Sequence, residues 1–273
     1  MTAPRPPLAE TEPVLGTACY PVAPERVPEC VIDSGSYRVR YARTLEDLDR
    51  VLGLRYQVFN LELGEGLDES HRTGRDEDEL DGRMHHLMIT VEPTGEVVGT
   101  YRMQTPEMAT RGGGFYAAEE FDLTSLPAAI VADSIEIGRA CVAREHRTGR
   151  VLSLLWRGLA EYLVWNQKHH LFGCCSLTSQ DPELAAVVHR HLIAVGALHS
   201  TLSVAPRPDY RCGPGTPDVG GPAHVPALFQ SYLGLGAKIL GPPAIDHRFK
   251  TIDWLVLLDS RTIDATSYRR FFR

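Results

Sequence analysis

The stretch IEIGRACVAREHRTGRVLSLLWRGL, residues 135–159, decides the fold. It reads as a buried strand, a short basic turn with one glycine, and an apolar helix. Such a turn aims backbone N–H groups and the positive end of a helix dipole at an anion. The strand carries Glu136 and Arg139, and charges are out of place in a core strand unless they are paired or functional. They lie three residues apart, so strict alternation sends them to opposite faces. A bulge near Gly138 puts both on one face, and we expect that bulge. An anion site beside a charged strand points to group transfer from a phosphate-bearing donor.

Working outward, residues 1–35 are rich in proline without periodicity and read as a flexible arm. Order is expected from YRVRYA at 37–42, an alternating strand. Thr44 then caps a helix whose residues Leu45, Leu48, Leu52, Arg55 and Phe59 share one face. Residues 64–83 form an acidic loop holding Asp78 and Asp81, and long loops are often functional. A hairpin follows from strands near 86–91 and 97–103 across Pro93-Thr94-Gly95, and its second strand ends at Arg102. After the opening stretch come a strand at 171–177, a helix begun by Asp181-Pro182, a loop at 205–226, a short helix or turn at 229–236, and strands at 237–240 and 251–258. This order predicts an α/β domain over 36–260, a mixed twisted sheet with helices on both faces, and a tail at 261–273.

The chain has 273 residues, 43% hydrophobic and 23% charged, which suits a globular protein. No apolar run reaches the roughly 20 residues that span a bilayer, and prolines interrupt the N-terminus where a signal peptide needs an apolar core. A cytoplasmic location is expected. The six cysteines show no CxxC pairing and read as reduced thiols. Net charge is −7, which argues against nucleic acid. Arg144, Arg147 and Arg150 nonetheless crowd the glycine turn, and a basic patch on an acidic protein fits a local anionic partner. No GxGxxG follows a strand and no GxxxxGK[ST] occurs. The pairs His85-His86 and His189-x-His191 lack carboxylate or cysteine partners at ligand spacing, so a packing role and no metal are expected. The tail YRRFFR at 268–273 mixes aromatics with arginine, which suits anionic lipid at the inner membrane face; a frayed terminus is the plainer expectation.

The element order and turn resemble the GCN5-related N-acyltransferase fold, whose (R/Q)-x-x-G-x-(G/A) turn binds a coenzyme A pyrophosphate. Here Arg144, Arg147, Gly149 and Arg150 occupy the turn, and Val151 replaces the second small residue. A donor with one phosphate, the phosphopantetheine arm of an acyl carrier protein, asks less of such a turn, and the acidity of carrier proteins suits the arginines. A closer resemblance is to the acyl-homoserine-lactone synthases: Arg55-x-x-x-Phe59, Asp78-x-x-Asp81, Gly99-x-x-Arg102 and Glu136-x-x-Arg139 follow their pattern. The tryptophan expected after the first helix is missing. Over 37–259 the chain is most similar to the ornithine-lipid N-acyltransferases, sometimes labelled hemolysin-like. RYQVFNLELGEGLDES, FYAAEEFDL, EIGRACVAREHR, LLWRGLAEYL, LFGCCSLTSQDP and GAKILGPPAIDHRFKTIDWLVLLD carry that similarity.

The resemblance implies transfer of a 3-hydroxy fatty acyl group from acyl carrier protein to the α-amine of an amino acid, foremost ornithine, giving a lyso-ornithine lipid, with no tightly bound cofactor. Glu136 is then the expected base and Arg139 its catalytic partner. Arg55, Phe59, Asp78, Asp81 and Arg102 are expected at the acceptor. The arginines would hold its carboxylate or bridge to the aspartates, and the aspartates would otherwise meet its amines. The competing readings are a signal synthase acylating S-adenosylmethionine and a non-catalytic membrane-active protein.

Overall fold

YRVRY alternates as a half-buried strand should, while HHLMITV, VVGTYRMQ and TIDWLVLLD are apolar enough to be covered on both faces. Each forms a strand in the computed structural model, which describes residues 20–213 and 224–272. The strands are β1 (Ile32–Ser34), β2 (Tyr37–Tyr41), β3 (His85–Val91), β4 (Val97–Gln104), β5 (Ser134–Val142), β6 (His170–Leu177), β7 (Lys238–Ile239), β8 (Ala244–Asp246) and β9 (Thr251–Asp259). They make one sheet in the order β1-β2-β3-β4-β5-β6-β9-β7, with β8 also on β9. Only β5 and β6 pair in parallel. The helices are α1 (Leu45–Arg55), α2 (Ser70–Thr73), α3 (Pro106–Arg111), α4 (Ala117–Glu120), α5 (Ala128–Ala132), α6 (Gly149–Trp165), α7 (Pro182–Ala194), α8 (Ala227–Gly234) and α9 (Ala265–Phe271).

Helices cover both faces, as expected. On one, α6 packs Val151, Leu154, Leu155 and Leu159 with Ile135 and Ile137 of β5. On the other, α1 sets Leu48, Val51 and Leu52 against Met88 and Cys141, and Ala117 of α4 and Phe121 just after it join Phe172 and Leu257. The Thr44 side chain accepts the Asp47 N–H and caps α1. Leu45 departs from the expected apolar face. It is exposed at the first position of α1, while Leu48, Leu52, Arg55 and Phe59 are buried. The helix widens to a π-type turn over Tyr56–Glu62, which carries Phe59.

Two boundaries shift. The expected arm is fixed from residue 20 onward: Tyr20 and Val27 are buried, the Tyr20 hydroxyl bonds His86 Nδ1 at 2.9 Å, and β1 pairs with β2. Apolar contact with the sheet outweighs the proline content there; residues 1–19 lie outside the described residues. The tail is not frayed as far as Phe272. Helix α9 docks on α6, burying Phe271 against Trp156, and Arg270 Nε donates to Ser153 Oγ at 3.0 Å.

The feature that positions the site is a fork. β5 and β6 pair only at Ser134–His170, Ile135–Leu171 and Glu136–Phe172, then separate: β5 stays with β4, and β6 with β9. At the point of separation, a Cβ on Gly173 would lie 2.0 Å from the carbonyl oxygen of Ile137, so only glycine fits. Gly173→Ala is expected to force the strands apart at their last shared rung. It should cost about 1–3 kcal/mol, read as a lower Tm, with acyl transfer lost out of proportion to the folded fraction.

Candidate active site

The gap left by the fork holds a cavity of about 530 Å³, bounded by residues 136–142 of β5 and 173–176 of β6 and reaching Arg147, Thr148 and Gly149 at the start of α6. Its wall beyond the gap is apolar: Leu155, Leu171, Phe229, Tyr232, Val256 and Leu258 line it.

The expected bulge is present. Gly138 faces Arg102 and Cys141 faces Thr100, so Arg139 and Ala140 together oppose Tyr101. Arg139 takes φ +44°, a left-handed conformation uncommon outside glycine. The extra residue turns Arg139 to the face where Glu136 lies. Glu136 is 2% exposed and lines the cavity. Its Oε2 accepts from Gln104 Nε2 at 2.5 Å and from the Tyr116 N–H at 2.9 Å, and its Oε1 accepts the Ala117 N–H at 2.7 Å. Burial pushes the Glu136 carboxyl above its ordinary range, against the pull of these donors. The arrangement leaves one lone-pair direction open and a raised affinity for a proton, as a general base requires.

Behind Glu136 stands an ion-pair network. Arg55 donates through Nε to Asp76 at 2.8 Å and through Nη1 to Asp81 at 2.5 Å. Arg102 Nη1 donates to Asp78 at 2.7 Å and to Asp81 at 3.0 Å. Arg139 pairs with Asp76, and its guanidinium lies between the rings of Phe59, 4.0 Å away, and Phe249, 4.6 Å away. Burial alone would raise the Asp76 and Asp81 carboxyls. The arginines reverse this, through Arg139 and Arg55 at Asp76 and through Arg55 and Arg102 at Asp81. Both stay below the ordinary carboxylate range.

The residues singled out from sequence therefore converge but divide by role. Glu136, Arg139, Phe59 and Arg102 line the cavity; Arg55, Asp78 and Asp81 do not. Of the expected alternatives, the bridge between the arginines and the aspartates is the one present: Asp78 pairs with Arg102, and Asp81 with Arg55 and Arg102, in place of facing the acceptor's amines. Arg55 likewise has no reach to a substrate carboxylate. Arg102 keeps a buried Nε with no hydrogen-bond partner. At the turn, Arg147 pairs with Glu62 at 2.5 Å and Arg150 donates to the Ser34 carbonyl at 2.7 Å, while Arg144 is exposed. Thr148 caps α6, its hydroxyl accepting the Val151 N–H and its carbonyl the Leu152 N–H, which leaves the N–H groups of Gly149 and Arg150 without an intrahelical partner.

Sequence reasoning missed Asp76, Gln104, Tyr116 and Glu65, the last buried and bonded to the Thr178 hydroxyl. It also missed three carboxylates, Glu120, Asp246 and Asp253, whose oxygens lie within 4.8 Å of one another, close enough to share a cation. Asp76 stood inside the acidic run RDEDELD without a distinguishing signal. Three of the four paired histidines are tied to neighbouring side chains, and His191 is exposed. His85 meets the Tyr162 hydroxyl, His86 meets Asp81, and His189 accepts from Trp254. Cys141 borders the cavity, but burial pushes its thiol up to about 12, which disfavours a thiolate nucleophile. The five described cysteines are free; Cys19 lies outside the described residues.

A splayed parallel pair, a basic glycine turn opening a helix and a buried carboxylate at the fork define a GNAT-type acyltransferase. The model of the acetyltransferase (GNAT) domain family matches residues 54–157. The L-ornithine N(alpha)-acyltransferase of Rhizobium meliloti is 33% identical over 242 residues, 80% of this chain and 78% of that protein. That of Agrobacterium fabrum is 32% identical over 248 residues, 84% and 83%. Among solved structures, the AHL synthase LasI overlays with a TM-score of 0.46 at 12% identity, covering 86% of this chain and 94% of that one. The chain belongs to the L-ornithine N(alpha)-acyltransferase family. No helix among the described residues is long and apolar enough to cross a membrane.

Proposed function

We propose that the protein transfers a 3-hydroxy fatty acyl group from acyl carrier protein to the α-amino group of ornithine, forming a lyso-ornithine lipid. The observation that carries this reading is a single cavity joining the α6 N-terminus, the β5–β6 gap, the Glu136 carboxylate and an apolar wall. The donor's phosphate suits the N–H groups of Gly149 and Arg150 at the start of α6, with the Arg144, Arg147 and Arg150 side chains beside them. Its extended arm suits the β5 edge that the fork leaves unpaired, and its acyl chain the apolar wall between α6 and α8. The Arg147–Glu62 pair is exposed, and such pairs are weak enough to be exchanged for a carrier protein's acidic surface.

The acceptor amine attacks the thioester carbonyl directly. A free α-amine has a pKa near 8, so part of the population arrives charged. Glu136 takes the proton, directly or through one water. N–H groups at the β5 bulge stabilise the oxyanion, and the tetrahedral intermediate collapses with departure of the thiolate. The unpartnered Arg102 Nε–H is placed to donate to the acceptor's carboxylate. Arg139 holds the bulge in place through Asp76, Phe59 and Phe249. The docked α9 still leaves Tyr268 exposed, and that edge is the proposed peripheral contact with the inner membrane face.

The test is incubation of the purified chain with 3-hydroxyacyl carrier protein and a panel of amino acids, with products identified by mass. N-acyl-ornithine is the expected product. Acyl-homoserine lactone formed from S-adenosylmethionine, or no product with any acceptor, overturns the reading. Arg144→Ala with Arg147→Ala is expected to raise KM for the carrier-bound donor about tenfold. Added salt should blunt the difference, because the contact is electrostatic.

A further inference from the structure

Glu120 from α4, Asp246 from β8 and Asp253 from β9 are each no more than 3% exposed. Among the described residues, no lysine, arginine or histidine pairs with any of them; the nearby Arg248 turns its guanidinium to Glu79 at 3.2 Å. Asp246 accepts the backbone N–H groups of Arg248 and Phe249 and the Tyr116 hydroxyl. Asp253 accepts the hydroxyls of Ser176 and Thr251. Glu120 differs. Its Oε1 meets the weak Cys174 thiol at 3.8 Å and the nearby Tyr116 hydroxyl favours its charged form, but its buried Oε2 has no hydrogen-bond partner. Buried carboxylate oxygens normally have a partner, so this one is open to a donor brought by a ligand.

With the three oxygens within 4.8 Å of one another, an atom at their centre sits no more than about 2.8 Å from each, within reach of an N–H···O bond. A primary ammonium brings three N–H donors, one for each oxygen. Access comes from the cavity, which Asp253, Thr251, Ser176, Cys174 and Tyr116 line. Tyr116 also ties the cluster to the base, since its N–H bonds Glu136 and its hydroxyl bonds Asp246. The base and the cluster thus lie about one side chain apart, the scale that separates the two amines of a short diamino acid.

We propose that Glu120, Asp246 and Asp253 form the subsite for the side-chain ammonium of the acceptor, so that the enzyme selects α-amino acids whose side chain ends in a primary amine. This rests on the N-acyltransfer reading above. Burial and mutual repulsion raise the Glu120 carboxyl and push Asp253 to about 6, so the empty cluster retains a proton that a bound ammonium replaces.

The test compares ornithine with norvaline, which has the same carbon skeleton and no side-chain amine, using carrier-bound donor. The wild type is expected to favour ornithine at least about 100-fold in kcat/KM. Glu120→Gln and Asp253→Asn should bring the ratio within about tenfold, through a higher KM for ornithine and with norvaline turnover retained. A purely structural role would lower both acceptors together and lower Tm. Removing a desolvated charge should instead leave the ligand-free Tm of Asp253→Asn at pH 8 no lower than wild type. An unchanged ratio in the folded variants overturns the subsite while leaving N-acyltransfer intact; acylation of neither acceptor by the wild type overturns the reading it rests on. Calorimetric titration with Mg²⁺, Ca²⁺ and Zn²⁺ alone completes the test. Stoichiometric binding lost in Glu120→Gln, with acyl transfer abolished by chelator, assigns the cluster to a divalent ion and overturns the ammonium.

Discussion

Glu136→Gln is expected to lower kcat by about 10²–10⁴-fold, the usual contribution of a positioned general base. Glutamine is isosteric and can keep one acceptor for the Ala117 N–H, but its NH₂ would meet the N–H of Tyr116, donor against donor. Some stability goes with that mismatch, about 1–3 kcal/mol, so activity must be normalised to folded protein. The pH profile separates base from scaffold. Burial raises the Glu136 pKa, so wild-type kcat should fall on the acid side at a pH above the ordinary glutamate value. In the variant's residual activity that limb should be gone. Near-normal turnover by folded Glu136→Gln would sink the assignment.

Arg55→Met is expected to be the most destabilising single change near the site. Arg55 is 1% exposed and faces Asp76 and Asp81, themselves 1% exposed. Removing one partner of a buried ion pair costs about 3–5 kcal/mol, or roughly a 10 °C fall in Tm for a chain of this size. Arg139 still holds Asp76 and Arg102 still holds Asp81, which keeps the loss from being larger. The folded pKa values of Asp76 and Asp81 are depressed, so the network contributes fully above the unfolded value of about 4 and its contribution is lost as pH falls through the lower folded values. The Tm difference between wild type and Arg55→Met should therefore be widest near neutral pH and narrow below about pH 4. Adding Asp81→Asn to Arg55→Met should restore part of the loss by removing the stranded charge. A difference independent of pH, or no gain in the double variant, would show that Arg55 acts by packing alone.

Much of the site was legible along the chain because its parts are local. The strand, the glycine turn and the helix N-terminus are contiguous, and an odd spacing of two charges in a buried strand has few solutions other than a bulge. The pairs Arg55/Phe59, Asp78/Asp81 and Glu136/Arg139 each lie within one turn or one strand, so their spacing survived into the structure. What did not survive was the division of labour. Asp78 and Asp81 looked as free as any acids in a loop, yet they are spent on Arg102 and Arg55. Glu120, Asp246 and Asp253 gave no signal, because α4 lies more than 120 residues from the β8–β9 hairpin in sequence and meets it only in the folded chain.

The sequence by itself determined the main strands, the long helices, the basic glycine turn and the family, since periodicity, capping and glycine placement act over a few neighbouring residues. Only the tertiary structure decided which carboxylates are neutralised and which stay bare. Hydrogen bonds and ion pairs between buried groups depend on separations of about 3 Å, and those distances are set where distant segments pack: Asp76 beneath Arg55 and Arg139, and Glu120 beside Asp246 and Asp253, with no cationic side chain paired to them among the described residues.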